Sequence, residues 1–185
     1  GDPLLRQVLA TEDETTEVTG FGPDPLAEGE HSPVPGILHK YRGRVLLVAT
    51  GACAVHCRYC FRRHFPYNEQ MATGERLEQA LAWLARRTDV DEVILSGGDP
   101  LSLSDRRLAD LLRALERIPH LRRLRIHSRL PVVEPGRLTA RFQRLLAESR
   151  WQTLLVLHAN HGREVSPALA RGLEPLRRDG VTLLN

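Results

Sequence analysis

The sequence lacks the features of membrane proteins and of disulfide-rich secreted proteins. Within its 185 residues, no apolar run approaches the roughly 18 residues of a membrane-spanning helix. The N-terminus, Gly1-Asp2-Pro3, does not have the basic and then apolar layout of a secretory signal peptide. The three cysteines are an odd number at close spacing, whereas a disulfide framework needs pairs and wider spacing. We therefore expect a reduced, cytoplasmic setting and no membrane partner.

Lysine and aromatic residues are also scarce. Lys40 is the only lysine, so any lysine-dependent chemistry within this chain must use it. Aromatic side chains make up 5% of the residues, and no stripe of alternating aromatic and basic residues is present. Most arginines lie in amphipathic stretches, which is typical of solvated helix faces. We do not expect direct binding to nucleic acid.

The distribution of glycine, proline and apolar residues predicts two regions. Residues 1–36 form an acidic lead-in with many glycines and prolines near its end, and we expect it to lie extended over another surface. Residues 37–185 alternate short apolar runs with amphipathic stretches. Strands are predicted at Val45–Thr50, Glu92–Ser96, Leu124–His127, Thr153–Leu157 and Val181–Leu184, each buried on both faces. Helices are predicted at Glu75–Arg87, Asp105–Ile118, Arg137–Ser149 and Pro167–Asp179.

This alternation predicts an α/β fold with a parallel sheet, either open and doubly wound or part of a barrel. We favour a partial TIM-type (βα) barrel with outer helices over residues 37–185. Asn185 directly follows the fifth predicted strand, whereas a complete barrel needs roughly 250 residues. We therefore expect a barrel truncated after the fifth strand, in a fragment of a longer protein or with a partner chain covering that strand.

All three cysteines, Cys53, Cys57 and Cys60, stand within eight residues directly after the first predicted strand. Three thiolates on one loop can each bind one iron of a cubic cluster and leave the fourth iron free for a small molecule. The alternative is a structural zinc with His56 or His64 as the fourth ligand. Structural zinc sites usually take two ligand pairs from separate loops, so the spacing favours an iron–sulfur cluster.

Polar residues follow the other predicted strands as well. Because the carboxyl ends of parallel strands meet at one edge, we expect Ser96–Pro100, His127–Arg129 and His158–His161 to lie near the cysteine loop. Gly97 and Gly98 would allow a cofactor to approach the backbone closely, and Asp99 could accept hydrogen bonds from an ammonium group. The same residues also fit a tight turn in which Asp99 and Ser102 are cap residues, and each histidine fits a buried structural role.

The cysteine motif and the glycine motif resemble those of a known class of enzymes. The cysteine spacing, with Tyr59 before the last cysteine, resembles the signature of radical S-adenosylmethionine (SAM) enzymes, and Gly97-Gly98-Asp99 resembles their glycine-rich second motif. Over nearly the whole chain the sequence resembles the lysine 2,3-aminomutase family. The segments that carry this likeness are Ser32–Gly36, His39-Lys40-Tyr41, Cys57–His64, Ser96–Leu101 and Arg129–Val133.

The resemblance implies three cofactors and a set of residues for each. Cys53, Cys57 and Cys60 would hold a [4Fe-4S] cluster. Tyr59, Gly97, Gly98, Asp99, Ser128 and Arg129 would face SAM. Lys40, Tyr41 and Arg44 would lie near the phosphate of pyridoxal 5′-phosphate (PLP), and Arg62 would bind the carboxylate of the lysine substrate.

The implied activity is the conversion of L-α-lysine to (R)-β-lysine. Asp2–Leu9, Cys60–Tyr67 and Ile118–His120 are most similar to the branch of this family that makes β-lysine for elongation factor P. That branch implies a functional link to the enzyme that transfers the lysyl group, and an electron donor such as flavodoxin or ferredoxin. Alternatives are a catabolic aminomutase of free lysine, a zinc-stabilised binding module without catalysis, and a non-catalytic relative that docks a translation factor through the lead-in.

The family's PLP-binding lysine lies nearer the C-terminus than any position in this sequence, and Lys40 does not match it. We therefore expect no catalytic residue for the PLP step within residues 1–185. The same resemblance predicts that this chain can cleave SAM but cannot complete the aminomutase reaction alone.

Overall fold

Six strands form one sheet in the order β1-β2-β3-β4-β5-β6 in the computed structural model, which describes residues 1–185. The strands are β1 Ile37–Tyr41, β2 Arg44–Thr50, β3 Glu92–Gly97, β4 Arg123–Ser128, β5 Gln152–Leu157 and β6 Thr182–Leu184. β1 runs antiparallel to β2, and every later pair is parallel. Because each strand pairs with the next one along the chain, the right-handed crossovers place the connecting helices on one side of the sheet, as in a (βα) barrel.

Six α-helices accompany the sheet. They are α1 Tyr67–Gln70, α2 Glu75–Arg86, α3 Asp105–Glu116, α4 Leu130–Val133, α5 Ala140–Ala147 and α6 Pro167–Arg178. The four long helices each bury an apolar stripe, and their fully buried members include Leu84, Leu112, Phe142 and Leu176. None of the helices has the length and apolar character required to cross a membrane.

The core lies between the sheet and these helices. It is one cluster of 29 buried apolar residues. Along β4, Leu124 and Ile126 are almost completely buried in it, while Arg123, Arg125 and His127 alternate with them and are only half-buried. The expectation that every strand is buried on both faces is therefore wrong for β4, and it is also wrong for β6, where Thr182 and Leu184 are exposed. The polar side chains of its second face lie on the side of the sheet that would be the interior of a barrel.

The predicted α/β class and the five parallel strands are confirmed, but the sequence reading missed β1. This strand pairs with β2 through a tight turn at Arg42-Gly43, where Gly43 has a φ of +76°. Polar side chains occupy most of its second half, so no apolar run marks it. α5 begins at Ala140 because the Thr139 hydroxyl accepts a hydrogen bond from Phe142 N–H and caps the helix there.

The lead-in is less extended than predicted. Three short 3₁₀ turns interrupt it, at Leu5–Gln7, Glu12–Thr15 and Glu28–His31. Side chains from all three turns contact the loops that follow β2 and β5.

Candidate active site

The loops after four consecutive parallel strands converge at one edge of the sheet. The cysteine loop follows β2, Gly97-Gly98-Asp99 ends β3, Ser128-Arg129 ends β4, and Asn160–Glu164 follow β5. Direct hydrogen bonds join each of these loops to its neighbour. The predicted convergence of strand-end polar residues is thus confirmed for these four loops.

The Asp99 carboxylate joins the ends of β3 and β4. One oxygen accepts hydrogen bonds from the Ser128 hydroxyl at 2.6 Å and from Leu101 N–H at 3.0 Å. The other oxygen accepts from the backbone N–H groups of Arg129 and Leu130, each at 2.8 Å. With four donors and 6% exposure, the carboxylate is saturated by the protein. Asp99 therefore acts as a turn and cap residue in this structure, whereas a contact between Asp99 and SAM stays a prediction.

The glycine pair lets the end of β3 lie directly against the start of the cysteine loop. Gly97 has a φ of +116°, and a Cβ atom there would lie 2.6 Å from the Thr50 carbonyl oxygen. A Cβ atom at Gly98 would lie 2.5 Å from the Ala52 carbonyl oxygen. In this space Gly98 N–H donates to Thr50 O at 2.7 Å and Asp99 N–H donates to Ala52 O at 2.8 Å. The two glycines therefore fix the entry of the cysteine loop.

The three cysteines are free thiols of intermediate exposure on that loop. Burial, together with the nearby charges of Asp99, Cys60 and Cys57, raises the pKa of Cys53 to about 11. Burial also raises the pKa of Cys57, against the opposing charge of Arg129. The thiols are thus close enough to repel one another as thiolates, and a cationic metal centre would relieve that repulsion.

The donor set fits an iron–sulfur cluster better than a zinc ion. No group of three or more His, Cys, Asp or Glu side chains lies close enough together to bind a single metal ion. In a cubic cluster each thiolate binds a different iron, so the sulfurs stand farther apart than the four ligands of one tetrahedral zinc. Neither His56 nor His64 completes a compact site with the cysteines.

Arg129 lies at the centre of a network that the sequence did not reveal. Its guanidinium donates to the hydroxyl of Tyr59 and, at 2.8 Å each, to Gln7 Oε1 and Glu164 Oε1. The Asn160 amide also donates to the Tyr59 hydroxyl. Tyr59 and Arg129, both predicted to face SAM, are therefore in contact, and Arg129 is 7% exposed.

Glu164 and Gln7 are the network members that sequence reasoning missed. Burial opposes ionisation of Glu164, but hydrogen bonds from Asn160 N–H and the Gln7 amide, the charge of Arg129 and a hydrogen bond from His161 N–H keep its pKa below the usual range. His161 and Glu164 form a reciprocal capping box around a short 3₁₀ turn. That local pattern could have placed Glu164 beside the end of β5. Nothing local to Gln7 indicates its partners.

Arg62, the predicted carboxylate anchor, is held by the lead-in. Its Nε and Nη2 atoms donate to the two carboxylate oxygens of Glu28 at 2.7 and 2.5 Å, and Nη1 donates to Ser96 Oγ at 3.2 Å. Each side chain of the ion pair is 11% exposed. The Phe61 ring centroid lies 4.7 Å from the Arg62 guanidinium carbon.

The predicted phosphate-binding residues lie around the same cavity as Arg62. Lys40, Tyr41 and Arg44, together with Glu28 and Arg62, line a cavity of about 180 Å³ beside β1, β2 and β3. The Arg44 guanidinium carbon lies 5.0 Å from the Tyr41 ring centroid, and Lys40 Nζ donates to Leu26 O at 2.8 Å. The structure therefore brings these predicted residues together, while their contact with PLP stays a prediction.

Comparison with known proteins places this site in a family. The Radical SAM superfamily model matches residues 47–167, from β2 to the start of α6. L-lysine 2,3-aminomutase of Escherichia coli K12 is 53% identical over 184 residues, which cover this whole chain and 54% of that protein. L-lysine 2,3-aminomutase of Clostridium subterminale is 37% identical over 185 residues, or 44% of its length. The chain spans about half the length of the relatives that it matches. The cysteine loop, the glycine turn and their strand-end setting thus lie within the matched region, and the chain belongs to the radical SAM superfamily.

Proposed function

We propose that this chain carries the radical-generating part of a SAM-dependent aminomutase that converts L-α-lysine to (R)-β-lysine. The observation that supports this most strongly is the placement of the cysteine loop against the glycine turn. The cavity that contains Arg62 and Lys40 lies along the same strands. Relatives of this chain are named L-lysine 2,3-aminomutase.

In this proposal Cys53, Cys57 and Cys60 hold a [4Fe-4S] cluster through their thiolates. Bound together, the cluster and SAM supply the radical that activates lysine, and PLP carries the migrating amino group. The protein's own part is to orient these groups and to exclude water from them. Asp99 contributes by fixing Ser128 and the backbone of Arg129 next to the cysteine loop.

SAM would lie along the rim formed by Tyr59, Gly97, Gly98, Ser128 and Arg129. Tyr59 is 52% exposed, so its ring is available to stack on an adenine while its hydroxyl stays bound to Arg129. Ser128 is 1% exposed and its hydroxyl is already engaged by Asp99 and by Leu130 N–H. Its contribution is therefore to the backbone shape of the rim.

The lysine carboxylate and the PLP phosphate would be bound at the cavity beside β1, whose volume of about 180 Å³ is too small to enclose both molecules. Arg62 would bind the lysine carboxylate by a two-point contact, and Lys40, Tyr41 and Arg44 would bind the PLP phosphate. The cations of this cavity outnumber its single carboxylate, Glu28. Such an excess of positive charge suits two anionic groups.

The proposed biological role is to supply β-lysine for elongation factor P in the cytoplasm, with the lysyl-transferring enzyme next in the sequence and flavodoxin or ferredoxin as electron donor. Similarity to the elongation factor P branch supports this role. Catabolism of free lysine is the second candidate, because the same cavity would serve both. Disruption of the gene separates them: loss of β-lysine on elongation factor P supports the first, and failure to grow on lysine alone supports the second.

The direct test is anaerobic reconstitution of the 185-residue chain with iron and sulfide. We expect a brown protein with acid-labile sulfide that forms 5′-deoxyadenosine from SAM and dithionite, while Cys57→Ser forms none. Without a PLP-binding lysine other than Lys40, we expect no β-lysine from this chain alone. A colourless protein that holds about one zinc would support the binding module instead. Appreciable β-lysine from this chain would contradict the expected absence of the PLP step.

A further inference from the structure

The ion pair between Arg62 and Glu28 engages only one edge of the Arg62 guanidinium. Glu28 occupies the edge of the guanidinium formed by Nε and Nη2, and Ser96 Oγ accepts from Nη1. A guanidinium carries five N–H donors, and these contacts use three of them. One hydrogen on Nη1 and one on Nη2 therefore stay free, and together these two nitrogens form the edge that binds a carboxylate by two points.

We infer that Glu28 is a positioning residue that holds Arg62 with its Nη1–Nη2 edge open to the substrate carboxylate. This inference rests on the proposed function, because it assumes that Arg62 binds the lysine carboxylate. Phe61 lies beside the guanidinium and Ser96 holds Nη1, so contacts from three directions hold the group in one orientation. An arginine that is already ordered loses less side-chain entropy when it binds its ligand.

Burial strengthens the interaction between the charges of Arg62 and Glu28. Both side chains are 11% exposed, so the two charges interact in a medium that screens them poorly. If Glu28 loses its charge, Arg62 is left as a largely buried cation without an anionic partner, because its other side-chain acceptor is the neutral Ser96 hydroxyl. Its guanidinium would then turn toward solvent or toward other acceptors, and the substrate edge would no longer be presented.

A competing interpretation gives the opposite result. If Glu28 instead occupied the place of the substrate carboxylate, it would inhibit binding, and its removal would lower the KM for lysine. The two interpretations therefore predict changes of opposite sign in the KM for lysine when Glu28 is replaced.

The experiment uses the intact gene product, reconstituted anaerobically with iron, sulfide, SAM and PLP. For Glu28→Gln and Glu28→Ala we expect the KM for L-lysine to rise by about 10-fold or more, with kcat changed much less. Formation of 5′-deoxyadenosine without lysine should stay within about twofold, because no SAM ligand is touched. The preference for L-lysine over L-lysinamide, which lacks the carboxylate charge, should shrink by a similar factor. An unchanged or lowered KM overturns the inference.

Glu14→Ala is the matched control. Glu14 is also a lead-in glutamate that pairs with arginines of the cysteine loop, Arg58 and Arg63, but it does not line the cavity. We expect this variant to keep the wild-type KM for lysine. If Glu14→Ala raises KM as much as Glu28→Ala, general docking of the lead-in is responsible and the inference is wrong.

A second measurement separates this inference from the proposed function. The ¹H–¹⁵N signal of Arg62 Nε–H should be protected from solvent exchange in the wild type and lose that protection in Glu28→Ala. Equal protection in both proteins overturns the positioning role, whatever the activity. If the wild type cleaves SAM but makes no β-lysine, the proposed function fails, and this signal still decides whether Glu28 orients Arg62.

Discussion

The Ser128 hydroxyl donates a hydrogen bond of 2.6 Å to the Asp99 carboxylate and so joins the carboxyl ends of β3 and β4. The same carboxylate accepts the backbone N–H groups of Arg129 and Leu130. One buried side chain therefore joins both the end of β4 and the loop that carries Arg129 to the end of β3.

Asp99→Asn should destabilise the protein because an amide replaces an acceptor oxygen with a donor that faces backbone N–H groups. We expect the free energy of unfolding to fall by about 1–3 kcal/mol in urea titrations. Asp89→Asn alters an exposed aspartate that pairs only with Arg87, and it should change stability by less than about 0.5 kcal/mol. Equal effects of the two variants would show that the Asp99 hydrogen bonds do not stabilise the loop.

Gly98→Ala should displace the cysteine loop, because the new methyl group would meet the backbone of Gly51 and Ala52 at 2.7 and 2.5 Å. We expect a loss of about 1–3 kcal/mol in stability and a lower iron content after reconstitution. Gly162→Ala is the control, since nothing lies within 4 Å of a Cβ atom there. Normal iron content in Gly98→Ala would contradict the proposed role of the turn.

His127 should make stability depend on pH. Burial, together with the charges of His158, Arg125 and Arg62, lowers the pKa of His127 from 6.5 to about 4. Between pH 6.5 and 4 the unfolded chain therefore binds more protons than the folded one, so stability falls as the pH decreases through this window.

We expect His127→Gln to remove on the order of 1–2 kcal/mol of the stability difference between neutral and acidic pH, after allowance for the partial exposure of the ring. Urea titrations at pH 7 and at pH 5 measure this difference. His64→Gln, at an exposed position, should keep the wild-type dependence. If the stability of His127→Gln depends on pH as the wild type does, protonation of His127 is not the cause of the pH dependence.

Glu164→Ala should be strongly destabilising because it leaves the Arg129 guanidinium buried beside only neutral partners, Gln7 and Tyr59. We expect a loss of about 2–4 kcal/mol in thermal or urea unfolding. Glu174, whose side chain is 43% exposed and pairs with Arg177 and Arg178, supplies the control Glu174→Ala, with a loss below about 0.5 kcal/mol. A small effect at Glu164 would mean that water replaces the lost carboxylate.

The parallel strands and the location of the site could be predicted because both follow from local patterns. Apolar runs marked β2 to β6, and the topology of parallel strands brings their carboxyl ends together whatever the loops contain. β1 could not be predicted from the sequence because Ile37–Tyr41 is short and half polar, and its stability comes from pairing with β2. Its existence depends on a neighbour that propensity does not describe.

The partners of the site residues could not be predicted in the same way. Glu28 and Gln7 looked like ordinary members of a polar lead-in, yet each binds an arginine of the site. No periodicity relates Gln7 to Arg129 or Glu28 to Arg62, because these contacts arise only when separate loops meet in three dimensions. Asp99 illustrates the same limit, since its residue type fitted both a ligand and a cap.

The contacts of Gln7 also bear on the order of folding. Gln7 is separated by 122 residues from Arg129 and by 157 residues from Glu164, and its hydrogen bonds to them close the longest loops described above. Closing such loops costs chain entropy that only an assembled sheet can offset, so these contacts form late. During synthesis the N-terminal segment leaves the ribosome first but acquires its place only after β5 and the turn beyond it exist. Its docking therefore requires that the strands up to β5 have already assembled.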